Sequence, residues 1–235
     1  MKQKLFSSDE NQFSLSIGDL MAALLMIFIL LLVGTMLRLQ EEFDEKSLVA
    51  EQYEELQNGI YIDLKEEFKN DILNWQMEIE SDLSIRFTEP QVKFAPNKST
   101  LKSRYKEILS DFFPRYINIL YSEKYKDHIE EIRIEGHTSI EGMRGHTEAE
   151  AYFYNMKLSQ NRTRTVLEYC LFQLSDKKLY DWTKTNTTAN GLSSVKRLNT
   201  LNTKSGRKQN RRVEFKVITD AEKQIREMLR LNDEY

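Results

Sequence analysis

The stretch IEEIRIEGHT, residues 129–138, decides the fold. Its later half alternates apolar and charged side chains and stops at Gly136, the period-two signature of a half-buried strand. On its C-terminal side, Met156–Leu174 has helical spacing, with Leu158, Val166, Leu167, Cys170, Leu171 and Leu174 facing inward. Residues 185–191 read as a further strand. RVEFKVI, residues 212–218, is a clean one with Val213, Phe215 and Val217 on one face, and 220–231 reads as a closing helix. On the N-terminal side, Leu101–Tyr121 is helical through Tyr105, Ile108, Leu109, Phe112, Phe113, Tyr116, Ile119 and Leu120. Pro114 is expected to bend or divide that helix, because it lacks the amide proton and crowds the preceding turn. Leu83–Phe87 and Val92–Phe94 read as two short strands. Strands interleaved with helices predict an α+β sandwich over 81–235.

Upstream the texture changes twice. Residues 38–80 carry four basic and thirteen acidic side chains, net −9, against +7 for 81–235 and −1 for 1–37. Within 38–80, Val49, Tyr53, Leu56, Ile60, Leu64, Phe68, Ile72, Trp75 and Ile79 step by three or four, a helical stripe. The spacing predicts a stalk helix whose stripe is covered by a second copy, a partner or the following domain, with Gly59 a candidate break. Leu15–Leu37, LSIGDLMAALLMIFILLLVGTML, is twenty-three residues long. About 20 apolar residues span a bilayer core, so it predicts a membrane helix behind a short tail, 1–14. A signal peptide would have a shorter apolar run and a small-residue cleavage site, which Leu37-Arg38-Leu39-Gln40 does not resemble. Lys2 and Lys4 outnumber Arg38, which places the N-terminus in the cytoplasm.

Asp19 is the one charged residue between Leu15 and Leu37. It either reaches the nearby headgroups or faces a partner helix as an ion-carrying carboxylate. The whole chain, at net −3, does not suggest a nucleic-acid binder, and one cysteine excludes a disulfide framework or a cysteine-based metal cluster. No phosphate loop and no Gly-x-Ser-x-Gly pattern occurs. The three histidines, His128, His137 and His146, offer at most a weak metal set of His137, Glu141 and His146. The reading is of a non-enzyme with no cofactor.

Three blocks, in order, carry a family resemblance: Ile134-Glu135-Gly136-His137-Thr138, then Tyr154-Asn155 with Leu158-Ser159-Gln160-Asn161-Arg162, then Gly206–Glu214. Together they resemble the OmpA-like peptidoglycan-binding domain. That resemblance implies a β/α sandwich with a mixed sheet and a groove for the peptide stem of peptidoglycan. Arg162 matches the arginine that pairs with the diaminopimelate carboxylate, a task suited to a planar guanidinium. Tyr154, Asn155 and Leu158 match the groove lining. Read for structure alone, Asn155 would cap a helix, and Arg207, Arg211 and Arg212 would form a solvated basic edge. Ser139 stands where the family has an Asp that contacts the stem amine, and Gly142–Tyr152 resembles an insertion.

The order of tail, membrane helix with early Asp, stalk and OmpA-like domain resembles MotB, the flagellar stator subunit. The Leu/Ile-rich helix is more similar to the stator-like subunits of Zorya anti-phage systems. This implies a peptidoglycan-anchored subunit of an ion-driven inner-membrane motor, with Asp19 carrying the ion; Ser16 could add an oxygen ligand, but the helix offers few others, which favours a proton over sodium. It also implies a MotA-like membrane partner, five copies around a homodimer of this chain, and cytoplasmic defence effectors reached indirectly. A flagellar stator subunit and a passive wall anchor without ion transport are the alternatives.

Overall fold

The computed structural model describes residues 3–87, 94, 95, 97–141, 143, 145–201 and 203–220. Two compact units divide the chain, Met1–Ala50 and Glu51–Tyr235. Helix α1 (Gln3–Glu67) provides the first unit and contributes its last turns to the second. Within residues Ile17–Asp44 of α1 the most apolar 18-residue window has a mean hydropathy of 2.8 and no burial within the chain. Among the described residues this is the one helix long and apolar enough to cross a bilayer.

The second unit is α+β. After α1 come α2 (Ile72–Trp75), β1 (Met77–Ile79), β2 (Ser84–Phe87), α3 (Ser103–Leu120) and β3 (Ile129–Gly136). Then follow α4 (Glu148–Leu171), α5 (Lys177–Asn186), β4 (Thr187–Gly191), α6 (Lys204–Asn210) and β5 (Val213–Thr219). The five strands form one mixed sheet in the order β1-β2-β5-β3-β4, antiparallel except for the parallel β3–β4 pair. The register lines up Ile85, Phe215, Ile134 and Ala189 in one row and Arg86, Glu214, Glu135 and Asn190 in the next. Successive rows point to opposite faces, so one face is apolar and the other charged.

An aromatic cluster fills the apolar side. Phe112 of α3 meets Phe68, Phe87 and Phe215 at ring separations of 5.1–5.2 Å. Phe68 belongs to the segment expected to be stalk. Ile60, Leu64, Phe68, Trp75, Met77 and Ile79 are all buried in this core. The compact unit therefore starts at Glu51, thirty residues before the expected boundary at Ser81. Of the three ways to cover the stripe, packing on the same chain's own domain accounts for its lower half. Arg115 of α3 fastens it further, bonding Glu67 at 2.6 Å and Asp71 at 3.0 Å while its guanidinium covers the Phe68 ring at 4.7 Å.

Several local expectations change. Gly59 does not break α1; a Cβ there would meet the Tyr125 hydroxyl at 3.0 Å, so the glycine makes room for that ring. The helical stripe ends before Ile79. Gln76 adopts a left-handed backbone, φ 46°, and the chain leaves it as strand β1. Pro114 lies inside an undivided α3, whose packed face of Phe112, Phe113, Tyr116 and Ile117 outweighs the lost backbone bond. Phe94 forms only an isolated bridge to Leu101; Val92, Lys93 and all but the first residue of the closing helix expected over 220–231 lie outside the described residues. Helices α5 and α6 add to the expected elements; α6 has no apolar stripe and depends on its Thr203 cap.

Candidate functional site

The site lies where β3 ends beneath α4. At Gly136 a Cβ would meet Thr163 Cγ2 at 2.7 Å and the Ser159 carbonyl at 2.9 Å; at Gly191 it would meet the Gln160 backbone nitrogen at 2.3 Å. Glycine at these two adjacent strand positions lets the helix backbone rest on the sheet. Gln160 then staples α4 to β4, donating to Ala189 O at 3.0 Å and accepting from Gly191 N at 2.8 Å. Ser193 N donates to Ser159 Oγ at 3.1 Å, which fixes the chain leaving β4.

Helix α4 starts at Glu148, eight residues ahead of the expected Met156 start, behind a capping box of Thr147 with Glu150. Asn155 is therefore no cap. It is buried in the helix interior and donates to Ser139 O at 3.1 Å and Glu141 O at 2.8 Å, holding the loop after β3. The inward face of α4 is Ala151, Asn155, Ser159, Thr163, Val166 and Cys170, more polar than the leucine face expected, and Leu158 is only half-buried. Small hydroxyl side chains suit a helix this close to a sheet.

Tyr154, Leu158 and Arg162 are spaced four apart and share one flank of α4. Arg162 Nε donates to Lys98 O at 2.9 Å, and its guanidinium lies 4.9 Å from the Phe94 ring centre. No bond to a described residue occupies its two terminal nitrogens. Burial lowers the Arg162 pKa to about 10; Tyr154 opposes that shift and Arg211 adds to it. Tyr154 meets the His146 ring edge-on at 5.5 Å. Arg211 Nη1 reaches Ser139 Oγ at a long 3.5 Å, and Arg207 Nε pairs with Glu141 at 3.0 Å. Arg211 thus reaches Ser139 and acts on the charge of Arg162 instead of lying on a merely solvated edge.

Beneath this surface sits a charged cluster that the sequence reading missed. Glu135 and Glu214 are direct cross-strand partners and both are buried. Like charges placed so are destabilising unless cations intervene. His137 Nε2 lies 3.4 Å from Glu135 and 3.5 Å from Glu214, while its Nδ1 is 3.3 Å from Val195 O. Those contacts raise the His137 pKa against the opposing pull of burial. Arg212 Nε bonds Glu214 at 2.6 Å, and Arg86 bonds the same oxygen. Burial opposes ionisation of Glu214, but His137 and Arg212 outweigh it and hold the carboxyl far below its ordinary range. Glu135, His137 and Glu214 bring three possible ligand atoms within 4.8 Å of one another. A divalent cation would have to compete with Arg86 and Arg212 for Glu214, so the arrangement suits an ionic latch better than a metal centre. Glu141 and His146, weighed with His137 for a metal, are engaged elsewhere, by Arg207 and Tyr154.

Comparison with known proteins places the chain in a family. The OmpA family model matches residues 93–211. Zorya protein ZorB of Escherichia coli (strain ATCC 8739) is 39% identical over 229 residues, covering 97% of each chain. The chain belongs to the ZorB family. Among solved structures, the fold of this ZorB-family chain is similar to a MotB-like protein from Desulfovibrio vulgaris, with a TM-score of 0.54 and 21% identity over 72% of this chain and 98% of that one. A cell wall anchor of the type VI secretion system from Pseudomonas aeruginosa matches with a TM-score of 0.46 and 21% identity, covering 66% and 96%. The expected OmpA/MotB-like fold is thereby met in this ZorB-family chain.

Proposed function

We propose that this chain is the peptidoglycan-anchored subunit of an ion-driven inner-membrane rotary motor that acts in anti-phage defence. The observation that carries the reading is the near full-length identity to a Zorya protein ZorB. The chain crosses the membrane once through Ile17–Asp44, N-terminus in the cytoplasm, with the Glu51–Tyr235 unit in the periplasm. There the groove of Tyr154, Asn155, Leu158 and Arg162 takes the peptide stem. Arg162 offers a carboxylate two guanidinium nitrogens that no described residue occupies, Tyr154 and Leu158 line the approach, and Asn155 holds the loop in place.

Asp19 is the ion carrier. A proton arriving from the periplasmic side adds to its carboxylate, and the neutral acid later releases the proton toward the cytoplasm. Each charge moved through about 100 mV supplies roughly 2.3 kcal/mol. A MotA-like partner, five copies around a dimer of this chain, converts that energy into rotation against the wall, and cytoplasmic effectors respond indirectly. A proton is favoured over sodium because the helix offers few oxygen ligands near Asp19, and the Thr35 hydroxyl is bonded to Leu32 O.

The test is Asp19→Asn in cells carrying the complete system. Phage protection should be lost while protein level and co-purification with the membrane partner persist. Full protection by the variant would leave only a passive anchor.

A further inference from the structure

The groove has an unbalanced charge. Arg162 and Arg211 both face it, and neither is paired with a carboxylate among the described residues. Glu141 is committed to Arg207 at 3.0 Å. Glu135 and Glu214 lie buried below, each already facing His137 and one or more other cations. Ser139 stands at the junction, 6% exposed, with its hydroxyl toward Arg211 and its carbonyl held by Asn155. Clamped there, the loop presents a neutral side chain beside Arg211, whose charge in turn acts on Arg162.

Such a surface attracts a carboxylate and repels an ammonium group. The exposed end of diaminopimelate carries both groups on one carbon. In an uncross-linked stem the amine is free and cationic. In a cross-linked stem the same amine is acylated, so the carboxylate remains and the positive charge is gone. Resting on the peptidoglycan reading above, we infer that this groove selects stems whose terminal amine is acylated, and that Ser139 is the residue that sets the preference. The chain would then hold the cross-linked wall, the part able to bear a sustained load.

The probes are two forms of L-Ala-γ-D-Glu-meso-diaminopimelate, one with its terminal amine free and one with that amine acetylated, titrated into the full-length protein in detergent. The acetylated peptide should bind about tenfold more tightly to the wild type. Ser139→Asp should reverse the order, because its carboxylate would accept the free ammonium. Ser139→Asn, similar in size and uncharged, should keep the wild-type order. Equal affinities, or preference of the wild type for the free amine, overturn the inference, as does a folded Ser139→Asp protein with wild-type preference. If neither peptide binds yet intact sacculi still sediment the protein, the inference alone falls. If sacculi fail as well, the peptidoglycan reading falls with it.

Discussion

Removing residues 1–80 should leave a chain that does not fold, although the sequence suggests Ser81 as the start of the domain. Such a chain lacks Ile60, Leu64, Phe68, Trp75, Met77 and Ile79, six buried side chains of the core. At roughly 1.5–3 kcal/mol each, their burial contributes about 9–18 kcal/mol. A compact unfolded state reduces that by about 10–40%, yet it still rivals the whole stability of a domain, about 5–15 kcal/mol. Strand β1, an edge partner of β2, is lost too, along with the Glu67 and Asp71 contacts of Arg115. A chain starting at Glu51 should give a cooperative urea transition and dispersed methyl resonances. The chain starting at Ser81 should give neither, or should be recovered only as aggregate. A cooperative transition of similar midpoint from the Ser81 chain would refute the packing argument. Leu64→Ala, expected to cost about 2–5 kcal/mol, refines the test against Ile62→Ala at a more exposed position of the same helix.

Arg162→Ala should weaken sedimentation of the protein with purified peptidoglycan at least tenfold, and Arg162→Lys should restore it only in part because a point charge cannot supply the planar fork. Gly191→Ala should cost about 1–3 kcal/mol of stability, read as a lower urea midpoint, since the new methyl would meet backbone at 2.3 Å, which cannot rotate away. The latch should make stability fall on both sides of a plateau. His137 has a raised pKa, so its contribution is complete below its ordinary 6.5 and fades as pH climbs through the higher folded value. Glu135 and Glu214 have lowered values, so theirs is complete above the ordinary 4.5 and fades on acidification. Urea midpoints measured from about pH 2 to pH 9 check this, and His137→Gln should cost about 3 kcal/mol near pH 6 and remove the alkaline slope.

The elements with a strong period were legible. Strands β3 and β5 and the helix α3 declare themselves by alternation or by stripes of large side chains, and all three form within a residue or two of where the sequence places them. What escaped was information held between segments. Phe68 and Trp75 look the same whether their stripe meets a second helix or Phe112 of the same chain. Glu135 and Glu214 read as solvent-facing strand positions, and only the register that pairs them shows why His137, Arg86 and Arg212 must surround them. The candidate site residues were named through motifs, which say nothing of where the fold puts them. Asn155 looked like a cap because the true cap at Thr147 lies eight residues earlier, in a stretch with no apolar rhythm.

Cys170, the lone cysteine, sits on the inward face of α4 with no exposure, and burial pushes its thiol pKa well up. A thiol in that state reacts with an alkylating reagent only when the core opens. The native chain therefore carries its own clock for domain opening. The alkylation rate of Cys170 reads the free energy of exposing α4, with no probe to be introduced. A second cysteine placed at an exposed position such as Leu201 could be modified while Cys170 stays silent, giving single-site chemistry on the otherwise unaltered protein.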